Sequence, residues 1–69
     1  MFMFTYAGRS MDNVNQYRGL STDIVNSGGK ILTNDETINR KLKNGDELYC
    51  MDNGDTYLYD EENGILIIQ

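Results

Sequence analysis

The side chains that could carry chemistry are mainly acidic, and they cluster in the last part of the chain. Asp52, Asp55, Asp60, Glu61 and Glu62 lie around two Asn-Gly pairs. Paired carboxylates act as general acid and base in glycoside hydrolysis, but that chemistry needs a cleft with one buried, protonated carboxyl. A chain of 69 residues has little volume for such a cleft. We therefore expect solvated acidic side chains at turns, no catalytic residues and no enzymatic activity.

The same side chains are candidate ligands for a hard cation such as Ca²⁺, which prefers oxygen ligands. The segment from Asp52 to Asp55 lacks the alternating ligands and the distal glutamate of an EF-hand loop. Because there is no histidine and Cys50 is the only cysteine, a Cys/His zinc site is excluded as well. We expect no metal site and no bound cofactor.

Two further features lack the partners that catalysis or phosphate binding requires. Cys50 has no histidine to activate it and lies in a segment with strand character, so we expect a buried, small apolar side chain rather than a nucleophile. Gly28-Gly29-Lys30 is followed by Ile31, whereas a phosphate-binding P-loop continues with Ser or Thr. This segment predicts a flexible turn.

Charge is distributed unevenly along the sequence. Residues 1–43 contain six basic and four acidic residues, a net of +2, whereas residues 44–69 contain seven acidic residues and no basic one, a net of −7. The overall charge of −5 argues against binding to nucleic acid or to an anionic membrane, because both depend on Lys and Arg. The acidic segment is either a face kept soluble by its charge or a surface for a cationic partner.

Targeting and membrane signals are also absent from the sequence pattern. The apolar residues 1–6 have no basic segment before them and are too few for a signal peptide. No stretch approaches the roughly 20 apolar residues of a membrane span. We expect no membrane partner.

The first thirty residues give a weak structural signal. Residues 1–6 are apolar and aromatic, and they predict an N-terminal strand buried on both faces. Residues 8–30 are polar and rich in turn residues, with residues 14–18 and 24–25 as candidate short strands. So long an irregular stretch is unusual in a compact domain, and it predicts a loop or arm that becomes ordered against a partner.

One short helix is predicted near residues 34–43. Thr33 and Glu36 have the spacing of a capping box, and Asn44-Gly45 is a suitable stop. The apolar stripe of this segment has only two residues, so a hairpin that turns at the same Asn-Gly pair is the alternative.

The last third predicts a three-stranded antiparallel meander. Asn-Gly pairs recur at intervals of nine and ten residues, and they suit type I′ turns, in which both central residues have positive φ. The segments between and after them are rich in Tyr, Ile and Leu. The predicted strands are residues 46–52, 55–60 and 65–69. The fold is thus expected to be mainly β, a small single domain over residues 1–69.

A two-residue turn at Asn53-Gly54 determines which side chains share a face. It pairs Asp52 with Asp55 and Glu47 with Asp60, and such like-charge pairs are unfavourable unless they are solvated. Both faces of the hairpin are largely apolar, so we expect one to be covered by the chain's own core and the other by a second sheet or another subunit. The first face has Leu48, Cys50, Tyr57 and Tyr59, and the second has Tyr49, Met51 and Leu58.

Three short motifs stand out: GLSTD at residues 19–23, NG at residues 44–45 and MDNGDTYLYDEEN at residues 51–63. They resemble a family of small proteins of tailed phages that infect Gram-positive bacteria. The family pattern is close to G-x-S-T-D, then N-G-S-x-F, then M-D-T-G-x-x-Y-x-Y-D-x-E-N. The family usually has prolines after its Ser-Thr-Asp, whereas this chain has none, and this chain has extra residues between the first two motifs.

The resemblance implies a non-enzymatic phage protein, either a virion structural protein or an assembly accessory of the head–tail or tail region. Its implied partners are other phage structural proteins. The implied location is the host cytoplasm during assembly, with the virion as the later alternative.

A homo-oligomer is expected because a core this small rarely supplies enough stability, and a single cysteine permits no internal disulfide. In one arrangement, basic residues of one copy meet acidic residues of the next around a ring. The candidate interaction residues are Arg40, Lys41, Tyr49, Tyr57, Leu58, Tyr59, Asp60 and Glu61. The alternative hypothesis is an acidic inhibitor or binding module that targets a basic host protein.

Overall fold

In a computed structural model, which describes residues 4–10 and 13–69, nearly half of the described residues form strands of two β-sheets. A 3₁₀ helix, Ser21–Asp23, precedes the third strand, and the helix α1 (Glu36–Lys41) lies between the fourth and fifth strands. The prediction of a mainly β fold is confirmed. The strands are β1 (Thr5–Arg9), β2 (Asn15–Gly19), β3 (Ile24–Ser27), β4 (Lys30–Thr33), β5 (Glu47–Cys50), β6 (Thr56–Asp60) and β7 (Ile65–Ile68).

The larger sheet has five strands in the order β1-β2-β5-β6-β7. Strands β5, β6 and β7 form the predicted antiparallel meander, and β1 pairs with β2 in the same way. β2 and β5 are parallel, so the chain must cross from one end of the sheet to the other between them. Residues 20–46 make this crossover, which contains the β3–β4 hairpin and α1.

The turns of the meander differ from the predicted type I′ turns. The Cys50 N–H donates to the Asp55 carbonyl (2.8 Å), which closes a loop of four residues. Four residues also lie between the paired residues Asp60 and Ile65. In the part of the chain that the structure describes, Asn13 is the only non-glycine residue with positive φ. The Asn-Gly pairs therefore use positive φ at the glycine alone, as at Gly54 (φ 77°), where L side chains are strained.

The longer loop shifts the register of β5 against β6 by two residues. Glu47 pairs with Leu58 rather than with Asp60, and Asp52 lies in the loop instead of opposite Asp55. The two predicted like-charge pairs are therefore wrong. Because side chains alternate with a period of two, an even shift leaves every side chain on its predicted face.

One face of the five-stranded sheet packs against the β3–β4 hairpin and α1, and we call it the core face. Leu48, Cys50 and Leu66 on this face have no exposed surface. Tyr57 and Tyr59 are partly buried against the same cluster. Its buried apolar residues are Phe4, Tyr17, Ile38, Leu42, Leu48, Cys50 and Leu66.

The N-terminal part is more regular than the sequence predicts. The candidate strands at residues 14–18 and 24–25 correspond to β2 and β3 and are confirmed. The expectation of an arm that needs a partner is wrong, because β2 lies inside the sheet between β1 and β5, and β3 pairs with β4. The predicted burial of the first strand on both faces is also wrong, since β1 is an edge strand with exposed side chains at Thr5 and Tyr6. Residues 1–3 of that prediction lie outside the described residues.

Helix α1 confirms the helix prediction but has a different cap. The Asp35 side chain accepts a hydrogen bond from the Thr37 N–H (2.9 Å), so Asp35 is the N-cap and the predicted capping box at Thr33 is wrong. Thr33 ends β4 instead, and its hydroxyl donates to Asn39 Oδ1 (2.7 Å), which fastens the helix to the hairpin. The helix ends at Lys41, before the predicted Asn-Gly stop.

The close approach of Phe4 to Gly19 yields a stability prediction. A Cβ atom at position 19 would lie 2.7 Å from the Phe4 ring. We expect Gly19→Ala to displace this ring and to lower the free energy of unfolding by about 1–3 kcal/mol, as overpacking of a core does. Urea denaturation followed by circular dichroism measures the change. In the Phe4→Leu background the same substitution should cost less, and equal costs in the two backgrounds would contradict this packing.

Candidate functional site

The strongest candidate for a functional surface is the face of the five-stranded sheet that the crossover leaves uncovered. Side chains that alternate with the buried ones along each strand point to this side. We call it the open face. Its residues include Gln16, Arg18, Glu47, Tyr49, Met51, Thr56, Leu58, Asp60, Ile65 and Ile67.

Large apolar side chains run obliquely across the open face. Tyr49 is 42% exposed, Met51 56% and Ile67 45%, and Leu58 is half-buried directly beside Ile67 on the neighbouring strand. We call these four residues the apolar stripe. Contiguous exposed apolar surface of this kind is typical of protein contact sites, whereas single exposed apolar residues are common everywhere.

Polar residues border the stripe on the side of β2. The amide of Gln16 donates to Glu47 Oε2 (2.9 Å) across the parallel strand pair, and Arg18 lies beside Tyr49 in register. Together with Tyr49 and Met51 of the stripe they line a shallow depression of about 440 Å³. Its walls are formed by Gln16, Tyr17, Arg18, Glu47, Tyr49, Met51 and Thr56. The depression offers both apolar surface and a cationic group to a partner.

The structure divides the predicted interaction tyrosines between the two faces of the sheet. Tyr49 and Leu58 lie on the open face, whereas Tyr57 and Tyr59 pack against the core. Burial raises the pKa of Tyr57, and nearby Cys50 raises it further. Tyr57 and Tyr59 thus contribute to the core, whereas Tyr49 and Leu58 are on the face that the crossover leaves uncovered.

The charged residues of the predicted site lie apart from one another. Arg40 and Lys41 are exposed in the last turn of α1, in the layer that covers the core face. Asp60 ends β6 on the open side, and Glu61 begins the following loop, where its N–H donates to Asn44 Oδ1 (3.1 Å). The structure therefore does not bring the basic helix end onto the open face.

Cys50 is fully buried in the middle of the core face. Burial raises the pKa of its thiol, and the charges of Asp52 and Asp55 raise it further. A raised pKa favours the unreactive thiol over the thiolate. The prediction that Cys50 serves as a small buried apolar side chain is confirmed.

Two of the motif segments meet in the fold. The Ser21 N–H and hydroxyl both donate to the Asp52 carboxylate, at 2.9 and 2.5 Å, and the Met51 N–H donates to the Gly19 carbonyl (2.9 Å). The two hydrogen bonds from Ser21, led by that of the hydroxyl, lower the pKa of Asp52. Sequence reasoning missed this contact because its partners are 31 residues apart, although both segments stood out as motifs.

Two carboxylates of the crossover are buried. Asp46 accepts hydrogen bonds from the N–H groups of Asn15 (3.2 Å) and Lys43 (2.9 Å). Asp23 accepts from the Asn34 side-chain amide (3.1 Å), and its second carboxylate oxygen has no hydrogen-bond partner among the described residues. Nothing in the local sequence distinguishes these two acids from the solvated ones, so sequence reasoning missed both.

Within residues 4–10 and 13–69, no group of three or more Cys, Asp or Glu side chains is placed to share a metal ion. None of the helices in the described part of the chain is long and apolar enough to cross a membrane. Comparisons with protein-family models, curated proteins and solved structures give no match.

The Ser21–Asp52 contact predicts a specific pH dependence. A carboxylate whose pKa is lowered below its ordinary value of 3.8 stabilises the fold above that pH, and the contribution is lost as pH falls through the lowered pKa. We expect Asp52→Asn to be less stable than the wild type at about pH 7, and the difference to shrink as the pH falls below 3.8 and through the lowered pKa. Urea denaturation across this range measures it.

Asp55→Asn is the matched control, because it removes a charge from the same loop without touching Ser21. It should not reproduce the change in pH dependence. A gap between wild type and the Asp52→Asn variant that stays constant from neutral to acidic pH would contradict the assignment.

Proposed function

We propose that this chain is a small non-enzymatic protein of a tailed phage, a virion structural protein or an assembly accessory of the head–tail or tail region. In this proposal it acts by binding copies of itself and other phage structural proteins. The observation that carries the proposal is the apolar stripe on the open face, which lies on the opposite side of the sheet from a fully packed core.

Burial of the apolar stripe by a binding partner is energetically favourable. Burial of apolar surface contributes roughly 25 cal/mol per Å², so exposed Tyr, Met and Ile side chains on one face are a source of binding free energy. The stripe occupies the middle strands β5 and β6 and reaches the edge strand β7. A flat surface of this kind suits another protein better than a small molecule, since small ligands bind in deeper pockets.

The phage setting is supported by the motifs. Ser21 and Asp52, each from a motif segment, are joined by hydrogen bonds, so these residues have a structural role in this fold. Asp52, one of the acidic residues around the turns, is thereby accounted for as part of the scaffold.

The alternative of an acidic inhibitor is less well supported. The acidic loops that follow β5 and β6 lie at opposite ends of β6. A five-residue strand separates them by roughly 17 Å. An inhibitor of a basic groove needs a continuous acidic strip. This hypothesis predicts a salt-sensitive complex with a basic host protein, which a pull-down from host lysate at two salt concentrations tests.

Mass spectrometry of purified particles of the phage that encodes the chain tests the proposed setting. We expect the chain among the proteins of mature particles or of isolated assembly intermediates, since a structural protein or an accessory is bound to one or the other. A chain that occurs only in the soluble fraction of infected cells would contradict the proposal and favour the inhibitor.

Self-association is a second expectation, and the two faces of the sheet provide its controls. In light scattering, the 7.9 kDa chain should show a mass above that of a monomer at high micromolar concentration. An apolar contact should persist at about 1 M salt, where the Debye length is about 3 Å. A strict monomer under these conditions would count against the proposal.

Tyr49→Ser should give a folded monomer, because Tyr49 lies on the open face. Tyr57→Ser should instead lower the free energy of unfolding by about 1–3 kcal/mol, since Tyr57 packs against the core. Gel filtration and circular dichroism distinguish these outcomes. If both variants only unfold, or if neither changes size, the assignment of the two faces is wrong.

A further inference from the structure

We infer that two copies of this chain pair face to face through their open faces, related by a two-fold axis, with Arg18 of each copy opposite Asp60 of the other. The inference rests on the proposed function, because it specifies the surface and the symmetry of the proposed self-association. It differs from a ring in which the basic end of α1 meets acidic loops, since α1 lies on the other side of the sheet.

The register of the strands orders the open face into parallel diagonals. Tyr49 on β5, Leu58 on β6 and Ile65 on β7 are each displaced by one strand and two residues from the one before. With strands about 4.8 Å apart and a rise of about 3.3 Å per residue, this line is roughly 16 Å long. We call this diagonal the apolar line, and it forms the apolar centre of the face.

A second diagonal, which we call the charged line, runs beside the apolar one. Arg18 lies next to Tyr49, Glu47 lies next to Leu58, and Asp60 follows Leu58 by two residues on the same strand. The line begins with a cation on β2 and ends with an anion on β6. The separation of its ends is again roughly 16 Å.

These two lines make the face self-complementary. A two-fold axis in the plane of the contact, perpendicular to the diagonals, reverses each line onto its copy. The apolar line of one copy then lies antiparallel to the apolar line of the other. The cationic end of each charged line meets the anionic end of the charged line in the other copy. Opposite charges across an interface fix register and suppress other orientations.

Glu47 occupies the midpoint of the charged line, so in this arrangement it faces Glu47 of the second copy. Within its own chain it accepts a hydrogen bond from the Gln16 amide (2.9 Å). The like-charge pair weakens the dimer. This unfavourable pair is a signature of the two-fold arrangement, because a head-to-tail contact would not bring a residue opposite itself.

The size of the face sets the expected affinity. Five strands of about five residues cover roughly 20 Å by 17 Å. Two such faces bury roughly 700 Å² of flat area in total, which is below the roughly 1,200 Å² of standard specific interfaces and is typical of weak, transient contacts. We therefore expect dissociation constants in the micromolar range rather than a permanent dimer.

Charge reversal tests the pairing on the full chain. Arg18→Glu and Asp60→Lys, each alone, place like charges at both ends of the charged line and should weaken self-association by about tenfold or more. When the two variants are mixed, both ends again carry opposite charges. The mixture should form a heterodimer with about wild-type affinity, measured by analytical ultracentrifugation with one variant fluorescently labelled.

Three further variants keep the test decisive. Because the Asp60 carboxylate accepts hydrogen bonds from Glu62 and Asn63 in its loop, Asp60→Asn provides a milder loss of charge that retains an acceptor. Glu47→Gln should tighten the dimer several-fold, since it removes the like-charge pair. Arg40→Glu, the matched control on α1, should change the affinity much less than Arg18→Glu does.

The outcomes separate this inference from the proposed function. If the wild type associates but Arg18→Glu and Arg40→Glu behave alike, or if the mixed variants do not pair while each remains folded by circular dichroism, the face-to-face arrangement is wrong and self-association stands. If Glu47→Gln weakens the dimer, the two-fold symmetry is wrong. If the wild type stays monomeric at high micromolar concentration, the self-association on which both rest is wrong.

Discussion

The parallel pairing of β2 with β5 is the constraint on which the rest of the fold depends. Antiparallel neighbours can be joined by a short turn, but parallel neighbours require the chain to return to the same end of the sheet. In this small protein residues 20–46 make that return, more than a third of the sequence. Whatever lies in the crossover must therefore provide most of the cover for the sheet, and the side on which it passes determines which face becomes the core.

The crossover is held at both ends by carboxylates that bond to backbone N–H groups. Asp46 connects the segment before β5 to the start of β2, and Asp52 connects the loop after β5 to Ser21. Each bond joins the two parallel strands at one end, where a single ladder of hydrogen bonds would otherwise fray. Hydrogen bonds that involve a charged group are stronger than neutral ones. Two acidic residues thus determine where the crossover leaves and enters the sheet.

The meander was predictable from the sequence because its determinants are local. Recurrent Asn-Gly pairs and Tyr-rich segments between them indicate hairpins, and the period of two assigns Leu48 and Tyr49 to opposite faces whatever the exact loop length. The loop type was not predictable in the same way. Whether Asn53 or only Gly54 takes positive φ depends on the four-residue loop that the Cys50–Asp55 hydrogen bond closes.

The parts that sequence reasoning missed depend on contacts between distant residues. β2 has a weak pattern of its own and is a strand because it lies between β1 and β5. Likewise, Asp46 and Glu61 are both acidic residues in polar segments of the sequence, yet Asp46 is buried and Glu61 is exposed. Tertiary context of this kind overrides local propensity. The open face was foreseen as a largely apolar surface, whereas its charged diagonal needed the β2–β5 register.

Because the crossover covers only one face of the sheet, the stability of the chain also depends on its concentration. The crossover is long enough to bury one face, and the core it forms contains seven buried apolar side chains among the described residues. With the other face exposed, the Tyr49 side of the sheet contributes little to the stability of a single copy. Under the proposed pairing, binding stabilises the folded state by mass action, by about 1.4 kcal/mol at a free concentration of ten times the dissociation constant. The surface left open by the crossover is then the place where assembly adds to the stability of the fold, so a chain released from its partners is also the least stable one.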